Sequence, residues 1–162
     1  MTDSPRFSAA ALGEYREILA CYPERRAALM PTLWLAQREF GWLSEPVMAY
    51  VAELMELPLA WVTSVASFYT MYWKAKPARY RLQVCRNLSC ALRGAEQILG
   101  AIEERLGIAN GERTADGRFE LEEVECLGSC GTAPVMQVNN EQYYENLDVP
   151  RTMALIDRLA ND

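Results

Sequence analysis

Histidine is absent from all 162 residues of this sequence. Without an imidazole there can be no zinc site of two cysteines and two histidines, no Rieske centre and no histidine-ligated haem. A Ser-His-Asp triad and a Cys-His nucleophile are excluded for the same reason. One missing residue type therefore removes many kinds of catalytic and metal site at once.

Long apolar runs and an excess of positive charge are missing as well. No apolar stretch approaches the roughly 20 residues of a transmembrane helix, and Glu14, Arg16 and Glu17 interrupt the region where a signal peptide would be apolar. We therefore expect no direct membrane insertion, and a location in the cytosol or on the cytosolic face of something larger. The formal net charge of −6 argues against nucleic acid as a partner, because binding phosphate needs a basic surface.

The apolar fraction of 51% and the charged fraction of 23% are ordinary for a globular chain with a core. Residues 1–76 carry the apolar spacing of four α-helices, which predicts an N-terminal helical bundle domain. The expected boundaries are N-caps at Ser8 and Ser44, a kink or break at Pro31 in the second helix, a C-cap at Gly41, and a start of the fourth helix at Pro58.

Aromatic side chains accumulate near the end of this region, from Phe68 to Trp73. Packing between helices is one interpretation of the run, and we favour it for most of these residues. A docking surface is the other, because aromatic residues are enriched where proteins bind partners. One face of the helix could serve each purpose.

Residues 77–162 change to a mixed pattern in the order β-α-β-β-β-α, which predicts a sheet with helices packed on it and an α+β fold class overall. The expected elements are a strand ending at Cys85, a helix from about Cys90 to Leu106, a turn at Asp116-Gly117, a strand from Phe119 to Cys126 with a bulge at Glu122-Glu123, a strand over Val135–Val138, a turn at Asn139-Asn140 leading into Tyr143-Tyr144, and a last helix capped by Asp148.

Four of the five cysteines form two spaced pairs, Cys85-x₄-Cys90 and Cys126-x₃-Cys130. Each pair begins at the end of a predicted strand and spans a predicted loop. If the two strands are neighbours in the sheet, the loops lie side by side and their four sulfurs can converge. Cys21 stands alone near a helix end, and we assign it no function.

Four converging thiolates suit structural zinc or an iron–sulfur cluster. Zinc knuckles favour two-residue gaps because one ion gathers every sulfur, so the wider gaps here favour a [2Fe–2S] cluster with two thiolates on each iron. Zinc remains an alternative, as do buried structural cysteines, although free core cysteines poorly explain four in paired spacing. The C-x-x-C spacing of thioredoxin-type redox enzymes is absent.

The loop residues are consistent with a cluster. Gly128 and Gly131 allow the backbone to approach closely, so that amide N–H groups can point at sulfur. Ser89 is a further candidate donor, and Leu88 and Leu127 could shield the site from water. Ordinary turn geometry explains each glycine equally well when it is taken alone.

Together these residues resemble the small thioredoxin-like [2Fe–2S] subunit of bacterial NADH:quinone oxidoreductase, respiratory complex I, over nearly the whole chain. The matching segments are Gln37-x-x-Phe40-Gly41-Trp42, Val65-Ala66-Ser67-Phe68-Tyr69, Val84-Cys85-x₄-Cys90 with Gly94, Thr114-x-Asp116-Gly117-x-Phe119, Glu125-Cys126-Leu127-Gly128-x-Cys130 and Ala133-Pro134-Val135.

The resemblance implies an N-terminal helical domain, 1–76, followed by a thioredoxin-like α/β [2Fe–2S] ferredoxin domain, 77–162. It implies that Cys85, Cys90, Cys126 and Cys130 are the cluster ligands. It implies an electron carrier next to the FMN of a partner subunit that also binds NADH, together with other subunits of the hydrophilic arm, cytoplasmic and peripheral to the inner membrane. Similar subunits occur in NAD-reducing hydrogenases and NAD-dependent formate dehydrogenases. This chain itself has no phosphate-cradling glycine-rich loop.

Overall fold

A computed structural model of the chain describes residues 4–162. The molecule divides into two compact units, Met1–Pro77 and Ala78–Asp162. The first unit is helical and the second contains a four-stranded sheet with helices, so the predicted α+β class is confirmed. That segments 1–76 and 77–162 are domains that fold independently stays a prediction.

The helical unit contains four α-helices: α1 (Ala9–Ala20), α2 (Leu29–Phe40), α3 (Glu45–Met55) and α4 (Leu59–Phe68). The predicted caps are confirmed: the hydroxyls of Ser8 and Ser44 accept from the N–H groups of Ala11 and Val47. Gly41 ends α2 with a φ of 82°, a left-handed conformation in which glycine meets no Cβ penalty.

The predicted break in the second helix occurs earlier than Pro31. A short 3₁₀ turn, Arg25–Ala28, precedes α2, and Pro31 lies in the first turn of that helix. A first-turn proline loses no hydrogen bond, because the N–H groups there have no partner within the helix. Pro31 is therefore compatible with a regular helix, and the prediction of a kink at this residue was wrong.

The aromatic run from Phe68 to Trp73 begins at the last residue of α4 and includes both core and surface positions. Tyr72 is fully buried and its hydroxyl donates to the Met30 carbonyl at 2.9 Å, whereas Phe68 is 78% exposed. The buried Gln37 amide of α2 fixes the run, donating to Met71 O at 3.0 Å and accepting from Trp73 N at 2.6 Å. The run thus contains a residue that packs in the core and a residue that is available on the surface.

The sheet unit has strands β1 (Tyr80–Cys85), β2 (Phe119–Val124), β3 (Met136–Val138) and β4 (Gln142–Tyr144), with helices α5 (Leu88–Leu92), α6 (Ala95–Leu106) and α7 (Val149–Asn161). The strand order is β2-β1-β3-β4. Strand β1 pairs in parallel with β2 and antiparallel with β3, and β4 closes the hairpin with β3. The core of this unit is made by Tyr80, Leu82, Val84, Ile98, Ile102, Ile108, Phe119, Leu121, Met136, Val138, Leu147, Leu155 and Ile156.

Two predictions for this unit were wrong. The β1–β2 register runs without interruption from Tyr80↔Phe119 to Cys85↔Val124, so there is no bulge at Glu122-Glu123. The alternation slips there because β2 is an edge strand whose second half is only half-buried. The single predicted helix after Cys90 is two helices, α5 and α6, separated at Gly94, and Leu92 is 79% exposed.

No helix within residues 4–162 has both the length and the apolar character needed to cross a membrane.

Candidate metal centre

The parallel pairing of β1 and β2 brings the two cysteine loops to one edge of the sheet. Cys85 is the last residue of β1 and lies opposite Val124, the last residue of β2, two positions before Cys126. Carboxyl ends of parallel strands meet at the same edge, so the loops that follow them are neighbours. The side-by-side arrangement predicted from the cysteine spacing is therefore present.

Two of the four cysteines are buried and two face the surface. Cys85 and Cys90 are each 3% exposed and pack with Ala95, Ala133 and Val135 in a small apolar cluster. Cys126 and Cys130 are exposed. A group held by all four side chains would have a sheltered inner side and an open outer side.

The sulfur of Cys126 lies 3.6 Å from the sulfur of Cys130. Two thiolates on one tetrahedral metal ion, each at about 2.3 Å, lie roughly 3.8 Å apart, so this pair has the spacing of ligands on a single metal. Cys85 and Cys90 lie together in one buried cluster, and after burial the Cys85 thiol is the next cause that raises the pKa of Cys90. The four sulfurs thus form two pairs.

Across residues 4–162, no three cysteine or carboxylate side chains gather closely enough to hold one ion. A single zinc ion needs all its sulfurs around one point, whereas a two-iron cluster needs two thiolates on each iron. The two pairs of thiols match two thiolates on each iron of such a cluster.

The pKa values of two thiols show that the pairs influence each other. Burial raises the pKa of Cys90 to about 11, and the neighbouring Cys85 thiol adds to the rise. The pKa of Cys130 is raised chiefly by its hydrogen bond with Cys126, with further repulsion from Cys85. Because neighbouring thiolates repel one another, the set favours the ionised form only when a bound cation supplies positive charge.

Several donors point at these sulfurs. The Gly128 N–H donates to Cys126 Sγ at 3.4 Å, and the positive φ of 80° that allows this explains the glycine. The Val135 backbone lowers the pKa of Cys90 and the Ser89 hydroxyl lowers the pKa of Cys130, against the larger causes that raise them. The predicted donor Gly128 therefore reaches sulfur. Gly131 has no left-handed conformation that requires a glycine.

The two leucines that were predicted to shield the site, Leu127 and Leu88, differ in burial. Leu127 is half-buried and packs against the apolar cluster around Cys85 and Cys90. Leu88 is 70% exposed and is not among the residues packed in that cluster. The first residue of a short surface helix has little to pack against, which sequence periodicity did not indicate. Cys21 is exposed, and its thiol donates to the Glu17 carbonyl of α1.

Polar contacts that the sequence did not reveal hold the two loops together. Glu125, beside Cys126, accepts from Arg86 at 3.1 Å and from the Asn87 amide at 3.4 Å. Arg93, after α5, donates to the Ala133 carbonyl at 2.7 Å. These bonds connect residues about 40 positions apart, and no local motif predicts such pairs.

Comparison with known proteins agrees with this geometry. The family model described as thioredoxin-like [2Fe–2S] ferredoxin matches residues 15–160. An NADH-quinone oxidoreductase subunit of Rhizobium meliloti (strain 1021) is 46% identical over 144 residues, covering 89% of this chain and 85% of the relative. The NADH-quinone oxidoreductase subunit 2 of Thermus thermophilus is 46% identical over 142 residues, covering 86% of this chain and 78% of the relative.

Among solved structures, an NAD⁺-reducing [NiFe]-hydrogenase in its air-oxidised state superposes with a TM-score of 0.72 at 26% identity. The match covers 82% of this chain but only 23% of the hydrogenase chain, so the similarity concerns one part of that larger protein. The family points to a [2Fe–2S] cluster as the cofactor, and the paired thiols fit it. The chain belongs to the thioredoxin-like [2Fe–2S] ferredoxin family and is a relative of the NADH-quinone oxidoreductase subunits of that family.

Proposed function

We propose that this chain is the electron-transfer subunit of an NADH:quinone oxidoreductase and holds one [2Fe–2S] cluster on Cys85, Cys90, Cys126 and Cys130. The observation that carries the ligand assignment is the gathering of the four thiols as two pairs, one with sulfurs 3.6 Å apart and the other within one buried cluster. When bound, such a cluster accepts and releases single electrons.

The chain's own residues would hold and adjust that group. Cys126 and Cys130 would bind one iron, and Cys85 and Cys90 the other. The Gly128 N–H donates to the Cys126 sulfur, and such donors make added negative charge on a cluster less unfavourable. Burial of one pair limits contact with water, which also affects the potential.

The open side of the site supports a partner that exchanges electrons there. Cys126 and Cys130 are exposed, and α5 of the same unit presents Leu88 and Leu92, which are 70% and 79% exposed. Adjacent exposed leucines of this kind are more typical of an interface than of a free surface. We propose the FMN- and NADH-binding subunit of the same complex as this partner, because this chain has no phosphate-binding loop of its own.

The helical unit offers a second surface for assembly. On α4, Phe68 is 78% exposed and Trp61 is 44% exposed, with the Arg26 guanidinium 4.2 Å from the Trp61 ring centroid. We propose that this surface contacts the flavin subunit or other subunits of the hydrophilic arm. The complex would place the chain on the cytoplasmic side, peripheral to the inner membrane.

A diaphorase subunit of an NAD⁺-reducing hydrogenase is the second candidate, supported by the structural match to such an enzyme. The relatives named for NADH-quinone oxidoreductase are more similar, at 46% identity against 26%, and match most of their own length. This favours the first candidate. The large subunits that co-purify with the chain from its native host distinguish the two.

The ligand assignment is tested by replacing cysteines one at a time and measuring iron and acid-labile sulfide per chain after anaerobic purification. Cys126→Ala should abolish the cluster or lower its content severalfold, because one iron loses a thiolate ligand. Cys21→Ala is the matched control, since it removes a thiol remote in sequence from both ligand loops, and its iron content should equal that of the wild type. Equal losses of iron in both variants would contradict the assignment.

A further inference from the structure

One carboxylate outside the cysteine loops is bonded to the loop that carries Cys130. Glu145 directly follows β4, and its Oε1 atom accepts from Thr132 Oγ1 at 2.7 Å and from the Ser129 hydroxyl. The two hydroxyl oxygens are themselves 2.8 Å apart. Ser129 precedes Cys130 and Thr132 follows it by two positions. A single carboxylate therefore accepts hydrogen bonds from residues on both sides of this cysteine.

The residues next to Glu145 contact the same loop through neutral groups. The Tyr143 hydroxyl donates to the Leu127 carbonyl at 3.2 Å, and the Asn146 N–H donates to the Thr132 carbonyl at 2.7 Å. Glu145 is the one member of this set that carries charge. The end of β4 thus holds the second cysteine loop at several points, with a negative charge at the centre of the contact.

The charge on Glu145 is stabilised by hydrogen bonds and not by a cation. Its pKa is lowered by the Ser129 hydroxyl and then by the Thr132 hydroxyl, with no lysine or arginine contributing. The carboxylate is therefore ionised at neutral pH, and it forms no salt bridge among residues 4–162. Both hydroxyls are engaged by the carboxylate and by each other.

We propose that Glu145 is a positioning residue of the metal centre, which fixes the Cys130 side of the loop and makes reduction of the bound cluster less favourable. The inference rests on the proposed function, since it concerns the same four cysteines. Reduction adds one negative charge to the cluster, and a fixed anion beside a ligand loop opposes that addition. Engaging the two hydroxyls removes donors that would otherwise favour the reduced state.

Glu145→Gln in the full, cluster-loaded chain tests the effect on reduction. A redox titration followed by EPR should show a reduced-to-oxidised ratio that is higher by roughly three- to tenfold at a fixed potential, which is about 30–60 mV for a one-electron couple. Glu145→Asp keeps the charge and should restore most of the wild-type value. A residue that only held the loop would change cluster retention without this shift.

Glu141→Gln is the matched control. Glu141 lies in the turn between β3 and β4, is exposed, and has no side-chain bond to the cysteine loop within the described residues. The Glu141→Gln substitution removes the same charge from the same hairpin. The midpoint potential of this variant should equal that of the wild type. An unchanged potential in Glu145→Gln, or an equal shift in Glu141→Gln, would overturn the effect on reduction.

Thr132→Val tests the positioning role separately, because it removes the hydroxyl that bonds Glu145 and Ser129 and leaves the Glu145 charge in place. Iron should be lost to a chelator severalfold faster than from the wild type, and a wild-type rate would overturn the positioning role. A wild-type chain that binds no iron and sulfide would contradict the proposed function itself before any variant is compared.

Discussion

Gly94 separates α5, which carries Cys90, from α6, and replacing it with alanine tests how strictly this break is required. Its φ is 102°, and an added Cβ would lie 2.9 Å from the Oε1 atom of Gln97. A left-handed conformation costs a non-glycine residue about 1–2 kcal/mol, and the Gln97 side-chain end can move away at little further cost. Gly94→Ala should therefore lower the free energy of unfolding by about 1–2 kcal/mol.

Gly100→Ala is a control that should change the free energy of unfolding in the opposite direction. Gly100 lies inside α6 with nothing within 4 Å of an added Cβ, and its φ is not positive. Alanine in a helix interior is more favourable than glycine by about 0.5–1 kcal/mol. The same chemical change, six positions along the chain, should thus stabilise the protein.

Urea unfolding of the reduced, metal-free chain measures both effects. All four tryptophans lie in the helical unit, so their fluorescence reports that unit, whereas far-UV circular dichroism reports both units. If the two units are independent domains, Gly94→Ala should lower the midpoint urea concentration of the sheet unit's transition, followed by circular dichroism. The midpoint followed by fluorescence should stay unchanged. A Gly94→Ala chain as stable as the wild type would refute the conformational argument, and equal movement of both transitions would refute independent domains.

Two further predictions concern the helical unit. Tyr72→Phe should cost about 1 kcal/mol near neutral pH, because the hydrogen bond to the Met30 carbonyl is lost. Burial raises the pKa of Tyr72 to about 12 from about 10 in the unfolded chain, so the wild type should lose stability as pH rises from 10 to 12. Tryptophan-monitored unfolding at several pH values should show a smaller loss for the phenylalanine variant, and equal losses would contradict this assignment. Phe68→Glu places a charge at a 78% exposed position and should reduce co-purification of partner subunits while leaving iron per chain unchanged. Loss of iron in that variant would instead mean that Phe68 supports the fold.

Features set by a few neighbouring residues could be predicted from the sequence. The caps at Ser8, Ser44 and Asp148 depend on a side chain and an N–H group three positions later, and the structure has all three. The turn before β4 was similarly local, since Asn139 and Asn140 both tolerate the positive φ that it needs. The cysteine pairs were evident for the same reason, because each pair is contained in one loop.

Features that depend on packing between distant segments could not be predicted. The periodicity around Cys90 continues smoothly into α6, so it did not indicate that the chain breaks at Gly94 or that Leu92 faces solvent. The contacts of Glu145 with Ser129 and Thr132 span 16 and 13 positions and follow from where β4 ends. The tertiary arrangement, and not the local pattern, decides these contacts.

The most direct test of the central claim is the iron and acid-labile sulfide content of the anaerobically purified wild-type chain, with an EPR spectrum before and after dithionite reduction. A [2Fe–2S] cluster on the four cysteines predicts iron and sulfide in equal amounts, two of each per chain, and a spin-half signal that appears only on reduction. Zinc in place of iron, with no signal on reduction, would contradict electron transfer and leave the four cysteines as a structural metal site.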